Sequence, residues 1–227
     1  MSTSTVADRF AEQNALGYDA RIATLVPGYA ELHEMSAAVL AARLGERARV
    51  LVVGAGTGTE TLAFAKANPG WQVLGVDPSP DMLAIARRRA EAESLHNVEF
   101  VEGYASGIGA GERFDAAVSL LVMHFIAGSE AKAAFLGEIA ALLAPGAPLL
   151  LADLAEHDED DLDAMAAYTL AHGVSEEALP AISTRLREDF HPVGDAELAD
   201  LAGQTGFAAP RPYFRGLAFA AHQLLRR

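Results

Sequence analysis

The sequence predicts a doubly wound α/β fold: a seven-stranded sheet, five strands parallel at its core and two forming an antiparallel edge pair. Three observations predict it. Short apolar runs alternate with helix-length segments through residues 49–153, the pattern of strand–helix–strand units joined by right-handed crossovers. The first run, 49–53, is apolar rather than alternating, as befits a strand buried on both faces. Glycines gather directly after the first run, at Gly54, Gly56 and Gly58, where a strand must turn sharply into a helix.

Taken in order, residues 1–48 read as a helical N-terminal cap with breaks. Residues 7–21 carry Phe10, Leu16 and Tyr18; a turn, Val26-Pro27-Gly28-Tyr29, follows. Leu32, Met35, Val39, Leu40 and Leu44 then recur at helical spacing. Residues 49–53 are strand one. A helix over 59–67 stops at Asn68-Pro69-Gly70. Residues 72–76 are strand two, ending at Asp77. The helix over 80–93 holds Arg87, Arg88 and Arg89 in its later turns, where cations suit the helix dipole. Residues 98–101 are strand three and 114–121 strand four. The helix over 129–143 is ended by Pro145-Gly146, and 149–153 is strand five.

Beyond Asp153 the pattern changes. An acidic run at 156–163 leads into helical segments to about Leu186, a second cap over residues 154–190. A helix at 195–205 follows, then two strands, 210–214 and 217–225, joined near Gly216. Because no linker composition divides the chain, residues 1–227 are expected to form a single domain, with 1–48 and 154–190 as caps over one core.

Composition limits the function. A chain of 227 residues with 51% hydrophobic residues is not disordered as a whole. The absence of cysteine excludes disulfides, zinc thiolate sites, iron–sulfur clusters and a thiol nucleophile. Thirty-one acidic against seventeen basic residues give a net charge of −14, which opposes a nucleic-acid partner. The most apolar stretch, 133–152, is broken by Glu138, Pro145, Gly146 and Pro148, short of the ~18 apolar residues a membrane span needs. The first residues lack a basic segment followed by an apolar one. A cytoplasmic protein that does not engage membranes is the expectation.

Two features point to a ligand. In Val50-Leu51-Val52-Val53-Gly54-Ala55-Gly56-Thr57-Gly58, glycines let the backbone pass close to a bound molecule, and the next helix aims its free N–H groups there. Asp77 ends strand two, 23 residues after Gly54, where a carboxylate can accept hydrogen bonds from two ribose hydroxyls. His124, just beyond strand four, is a candidate general base, since a neutral imidazole accepts a proton near pH 7. The acidic run Glu156-His157-Asp158-Glu159-Asp160-Asp161 reads as a solvated helix start, and no metal is expected. Trp71 reads as packing.

The glycines are spaced G-x-G-x-G, which resembles motif I of the class I S-adenosylmethionine-dependent methyltransferases, a Rossmann-like family. The resemblance runs on through Val73 to Ala86 (VLGVDPSPDMLAIA), Phe114 to Phe125 (FDAAVSLLVMHF) and Leu142 to Leu151 (LLAPGAPLLL). It implies S-adenosylmethionine as cofactor and S-adenosylhomocysteine as product. It further implies Gly54, Ala55, Gly56 and Thr57 around the cofactor, Asp77 on the ribose, and Pro78, Met82, Tyr104, Ala105 and Leu120 lining its pocket. Two positions depart from the pattern. Val52 stands where motif I carries an acid, so the resemblance leaves the methionine ammonium to carbonyls such as those of Gly54 and Leu120. Tyr104 stands where an acid receives the adenine amino group.

Tyr18-Asp19-x-Arg21-Ile22 and Val26-Pro27-Gly28-Tyr29 are similar to the N-terminal segment of carboxy-S-adenosylmethionine synthases. That implies Tyr29 as a further cofactor contact. Tyr18, Arg21 and Arg185 or Arg187 are then candidate substrate contacts. The synthases use an Asn after strand four, where Leu120 stands here. The expectation is therefore methyl transfer to a small-molecule acceptor with an O, N or C nucleophile; a homodimer is admitted. The alternatives are synthase-like modification of the cofactor, or a non-enzymatic cofactor-binding interaction protein.

Overall fold

The computed structural model describes residues 17–109 and 111–227. Phe10 and Leu16, with the rest of the segment before residue 17, lie outside the described residues. Helices α1 (Tyr18–Leu25) and α2 (Tyr29–Ala41) precede β1 (Ala48–Val53), α3 (Thr59–Ala67), β2 (Trp71–Asp77), α4 (Pro80–Ala92) and β3 (Val98–Glu102). Then come β4 (Ala116–Leu120), α5 (Ser129–Leu142) and β5 (Pro148–Leu154). The chain closes with α6 (Glu159–Ala171), α7 (Leu179–Thr184), α8 (Asp195–Gln204), β6 (Arg211–Gly216) and β7 (Phe219–Leu225).

The strands form one sheet in the order β3-β2-β1-β4-β5-β7-β6. β1 to β5 are parallel, and β7 pairs antiparallel with both β5 and β6. This is the expected sheet, edge pair included. The strand order reverses between β1 and β4, and that reversal opens a crevice at their carboxyl ends.

Alternation along β1 divides the core. Leu51 and Val53 face a cluster with Leu136 and Ile139 of α5 and Leu198 and Leu201 of α8. Val50 and Val52 face the other way, onto Leu32 and Leu40 of α2, Phe64 of α3 and Leu83 of α4. Trp71 is 2% exposed and donates its indole N–H to the Gly45 carbonyl at 2.9 Å, a packing residue as expected. A third cluster joins Val26 after α1 with Leu162 and Met165 of α6, Leu186, and Phe219 of β7. It ties the turn after α1 to α6, to the segment that carries Leu186 and to β7.

Local signals explain the helix starts. Ser79 caps α4, its hydroxyl accepting the Met82 N–H at 3.3 Å, with Pro80 in the first helical turn. Asp158 and Asp161 form a reciprocal capping box at α6, which accounts for much of the acidic run.

The structure differs from expectation at three places. Leu44 lies past the end of α2, in the bend that leads to β1. Phe114 stands before β4 and makes only an isolated bridge to Leu143. Helix α2 packs mostly on one sheet face, through Leu32 and Leu40, while its first residue, Tyr29, joins the cluster that Val26 after α1 makes with α6. No helix among the described residues is long and apolar enough to cross a membrane.

Candidate functional site

The glycine loop follows β1 and runs into α3. Gly54, Gly56 and Gly58 have φ of +77°, +51° and +87°, the left-handed region glycine tolerates. Their surroundings differ. A Cβ on Gly54 would stand 2.3 Å from Val122, and one on Gly58 3.0 Å from the Ala86 Cβ, so both keep packed neighbours close. A Cβ on Gly56 would meet only Met82 Cε at 3.9 Å and the Gly54 carbonyl at 4.0 Å. Gly56 lines a cavity, and its missing side chain leaves that space open.

This cavity lies beyond the carboxyl ends of β1, β2 and β4 and encloses about 860 Å³ of empty space, its open mouth included. Gly54, Gly56, Asp77, Pro78, Met82, Tyr104, Ala105, Leu120 and Tyr18 all line it. Asp77 accepts the Gly56 N–H on Oδ2 at 2.9 Å and the Ser79 N–H on Oδ1 at 2.8 Å. Each oxygen keeps a second lone pair for a ligand hydroxyl. Burial pushes the Asp77 carboxyl up, and these two N–H bonds hold it down. The residues thus fit a ribose-bearing ligand: a paired acceptor at one end, open backbone at Gly56 and apolar walls.

Three other expected contacts lie off this wall. The Ala55 side chain is buried against the sheet. Thr57 is buried too, its hydroxyl donating to Asp19 Oδ1 at 2.6 Å. Asp19 in turn pairs with Arg89 Nη2 at 2.5 Å, so α1 is clasped to the glycine loop. Tyr29 stacks edge-on against His33, with centroids 4.3 Å apart, and hydrogen-bonds with Thr59. Burial pushes the Tyr18 and Tyr29 hydroxyls up, and Glu60 beside them adds to the shift. Val52 is buried in the helix–sheet core, and Tyr104 is 62% exposed on the cavity rim.

A second cavity lies between α1, α6 and residues 182–190, enclosing about 950 Å³ with its mouth included. Tyr18, Leu121 and Phe125 line both cavities and stand at the seam between them. Leu121 holds φ +62°, a conformation that costs a leucine roughly 1 kcal/mol or more, while its N–H donates to Ala152 O at 2.7 Å. The rest of the wall is mostly apolar, with Arg21 and Arg185 as its cations.

His124 is buried in the helical turn Met123–Phe125 and lines this second cavity. Its partner is a carboxylate, not the backbone: Nδ1 meets Asp153 Oδ1 at hydrogen-bond contact. Asp153 also accepts the Met123 N–H at 2.6 Å, the His124 N–H at 3.1 Å and the Leu154 N–H at 2.9 Å. One buried carboxylate at the end of β5 therefore fixes both the turn after β4 and the imidazole ring. In the tautomer that donates Nδ1–H to Asp153, Nε2 is left as the acceptor nitrogen. Phe125 and Phe190 pack on that ring with centroids 4.2 and 4.6 Å away.

Of the two candidate arginines, Arg187 is not among the residues that line this cavity. It is exposed and ion-paired with Glu159 of α6, outside the cavity lining. The chain enters a π-helical turn at Arg185–Asp189, which carries Arg185 to the cavity and swings Arg187 away. Arg185 lies 5.6 Å from the Phe190 ring centroid and 3.8 Å from Asp189. Sequence reasoning missed Asp153 and Phe190; an acid at the carboxyl end of a central strand was the available signal for the first.

Residues 51–149 match the family described as a methyltransferase domain. A carboxy-S-adenosyl-L-methionine synthase of Campylobacter hominis is 26% identical over 220 residues, 93% of this chain and 91% of that protein. A demethylmenaquinone methyltransferase of Thermus thermophilus is 40% identical over 104 residues, 45% of this chain and 46% of that protein. Among solved structures, magnesium protoporphyrin IX methyltransferase from Synechocystis, with bound S-adenosylhomocysteine, has a TM-score of 0.71 at 17% identity and full coverage of both chains. The glycine loop, the sheet order and the family match agree: residues 51–149 carry a methyltransferase domain, and the chain is similar in fold to S-adenosylmethionine-dependent methyltransferases.

Proposed function

We propose that the chain binds S-adenosylmethionine in the cavity between the glycine loop and Asp77 and directs its methyl group to a small molecule seated under the caps. The observation that carries this reading is the meeting of two cavities at Tyr18, Leu121 and Phe125, with His124 buried on the acceptor side. Bound there, the cofactor supplies an electrophilic methyl group. The chain's own part is to hold ribose on Asp77, exclude water beneath the caps, and align the acceptor. His124 takes the acceptor's proton on Nε2 while Asp153 keeps the ring in place.

Residues 1–227 act in this reading as one domain, with α1 and residues 154–190 forming the acceptor side. An enclosed site and a net charge of −14 both favour a small acceptor over nucleic acid. The test is acceptor-dependent release of S-adenosylhomocysteine by the purified protein across a panel of small hydroxy, amino and carbon acids. His124→Ala should lower turnover about 10²–10⁴-fold, the usual worth of a positioned base, without weakening cofactor binding. Unchanged turnover would remove His124 from the chemistry.

A second reading, carboxylation of the cofactor in the manner of a carboxy-S-adenosylmethionine synthase, is favoured by the full-length similarity to that relative. Against it stands Leu120, which offers no polar group to an added carboxylate. Mass spectrometry of the cofactor that co-purifies with the protein separates the two readings.

A further inference from the structure

Resting on methyl transfer as proposed above, the acceptor's class can be read from the cap cavity. We infer that the acceptor is an anionic hydroxyarene: a flat aromatic ring with a reacting phenolic hydroxyl at the inner end and a carboxylate-like group at the outer rim.

The inner end sets the nucleophile. A buried imidazole held by a carboxylate is built to remove a proton near neutral pH. A carboxylate nucleophile has no proton to give at that pH, and a neutral amine attacks before it loses one. A phenolic hydroxyl, ordinarily near pKa 10, is the acceptor that gains most from such a base.

The walls set the body. The Phe125 and Phe190 rings stand 5.4 Å apart at 82° to one another, and both pack on His124. Faces and edges at these angles suit a flat ring more than a branched chain.

The rim sets the charge. Arg21 on α1 and Arg185 on the π-helical turn come from the two separate cap segments, and both line the one cavity. Both are exposed residues, whereas His124 is buried, so the cations stand outward of the base. Guanidinium groups select carboxylates by paired, charge-assisted bonds. In an acidic protein two such cations at the mouth of one apolar cavity also oppose entry of a cationic ligand. In the transfer itself the phenolic proton goes to His124 Nε2. The oxygen's electron pair forms the new O–CH3 bond, and the pair of the broken S–CH3 bond stays on sulfur.

The experiment uses the full chain and three probes: 3-(4-hydroxyphenyl)propanoate, its methyl ester, and tyramine. Binding of each to the protein saturated with S-adenosylhomocysteine is measured by calorimetry, and product formation with S-adenosylmethionine by mass spectrometry. The propanoate should bind at least about tenfold more tightly than the ester, the low end for a charge-assisted bond, and tyramine should bind weakest. The Arg21→Ala/Arg185→Ala variant should lose that preference while still binding the ester as the wild type does. Equal binding of all three probes, binding of none, or a preference that survives the double substitution overturns the inference. If S-adenosylhomocysteine itself fails to bind, methyl transfer falls first and the acceptor assignment with it.

Discussion

Glu60 stands in the first turn of α3, directly after the glycine loop, with its side chain 12% exposed. Burial pushes its carboxyl from the ordinary 4.5 up to about 7. A backbone hydrogen bond pulls it partly back, and Asp19 adds to the rise. The folded protein therefore holds a proton on Glu60 that the unfolded chain has already released between pH 4.5 and 7. The unfolded state binds fewer protons in that window, so stability falls as pH rises through it. At about 1.4 kcal/mol per unit, the loss by pH 8 is on the order of 3 kcal/mol. His33 works in the opposite direction. Its Nδ1 lies 3.4 Å from Glu60 Oε1, and burial lowers its pKa from 6.5 to about 4, so its contribution falls as pH drops below 6.5. The two slopes offset one another between pH 4.5 and 6.5. Glu60→Gln removes one of them. The variant should match the wild type in urea unfolding near pH 4.5 and exceed it by about 3 kcal/mol at pH 8. A stability difference that is constant from pH 4.5 to 8 would refute the reasoning.

Other expectations concern the site. Asp77→Ala removes both acceptors facing the cavity and should weaken S-adenosylhomocysteine binding at least about tenfold in calorimetry, each charge-assisted bond being worth roughly 1.5–3 kcal/mol. Gly56→Val places a branched side chain in the open space beside Met82, at a φ of +51° that valine avoids, and should abolish cofactor binding as measured by thermal shift. Arg187→Ala breaks only an exposed ion pair with Glu159 and should leave turnover and cofactor affinity unchanged in a steady-state assay.

The parallel core was legible because β1, β2 and β5 are short apolar runs with a glycine or an acid at their ends, and those signals are local. The loop Gly54 to Gly58 and Asp77 were legible for the same reason: strand ends place them. The His124–Asp153 pair was half legible. Asp153 lies near the end of β5 and His124 in the turn after β4, but their contact depends on β4 and β5 being neighbours in the sheet, at a separation of 29 residues. The sorting of Arg185 from Arg187 was not legible, because it turns on one π-helical turn between α7 and Phe190. Tyr29, Ala55 and Thr57 sit beside the expected site, yet their side chains pack with cap and sheet, which motif spacing does not encode.

The central claim is that cofactor and acceptor meet at the seam of Tyr18, Leu121 and Phe125. A crystal structure of the protein with S-adenosylhomocysteine bound tests this most directly. The account predicts ribose hydroxyls on the Asp77 carboxylate and the sulfur at the seam, open toward His124 in the cap cavity. A sulfur turned away from that cavity, or a ribose held elsewhere than Asp77, would contradict it.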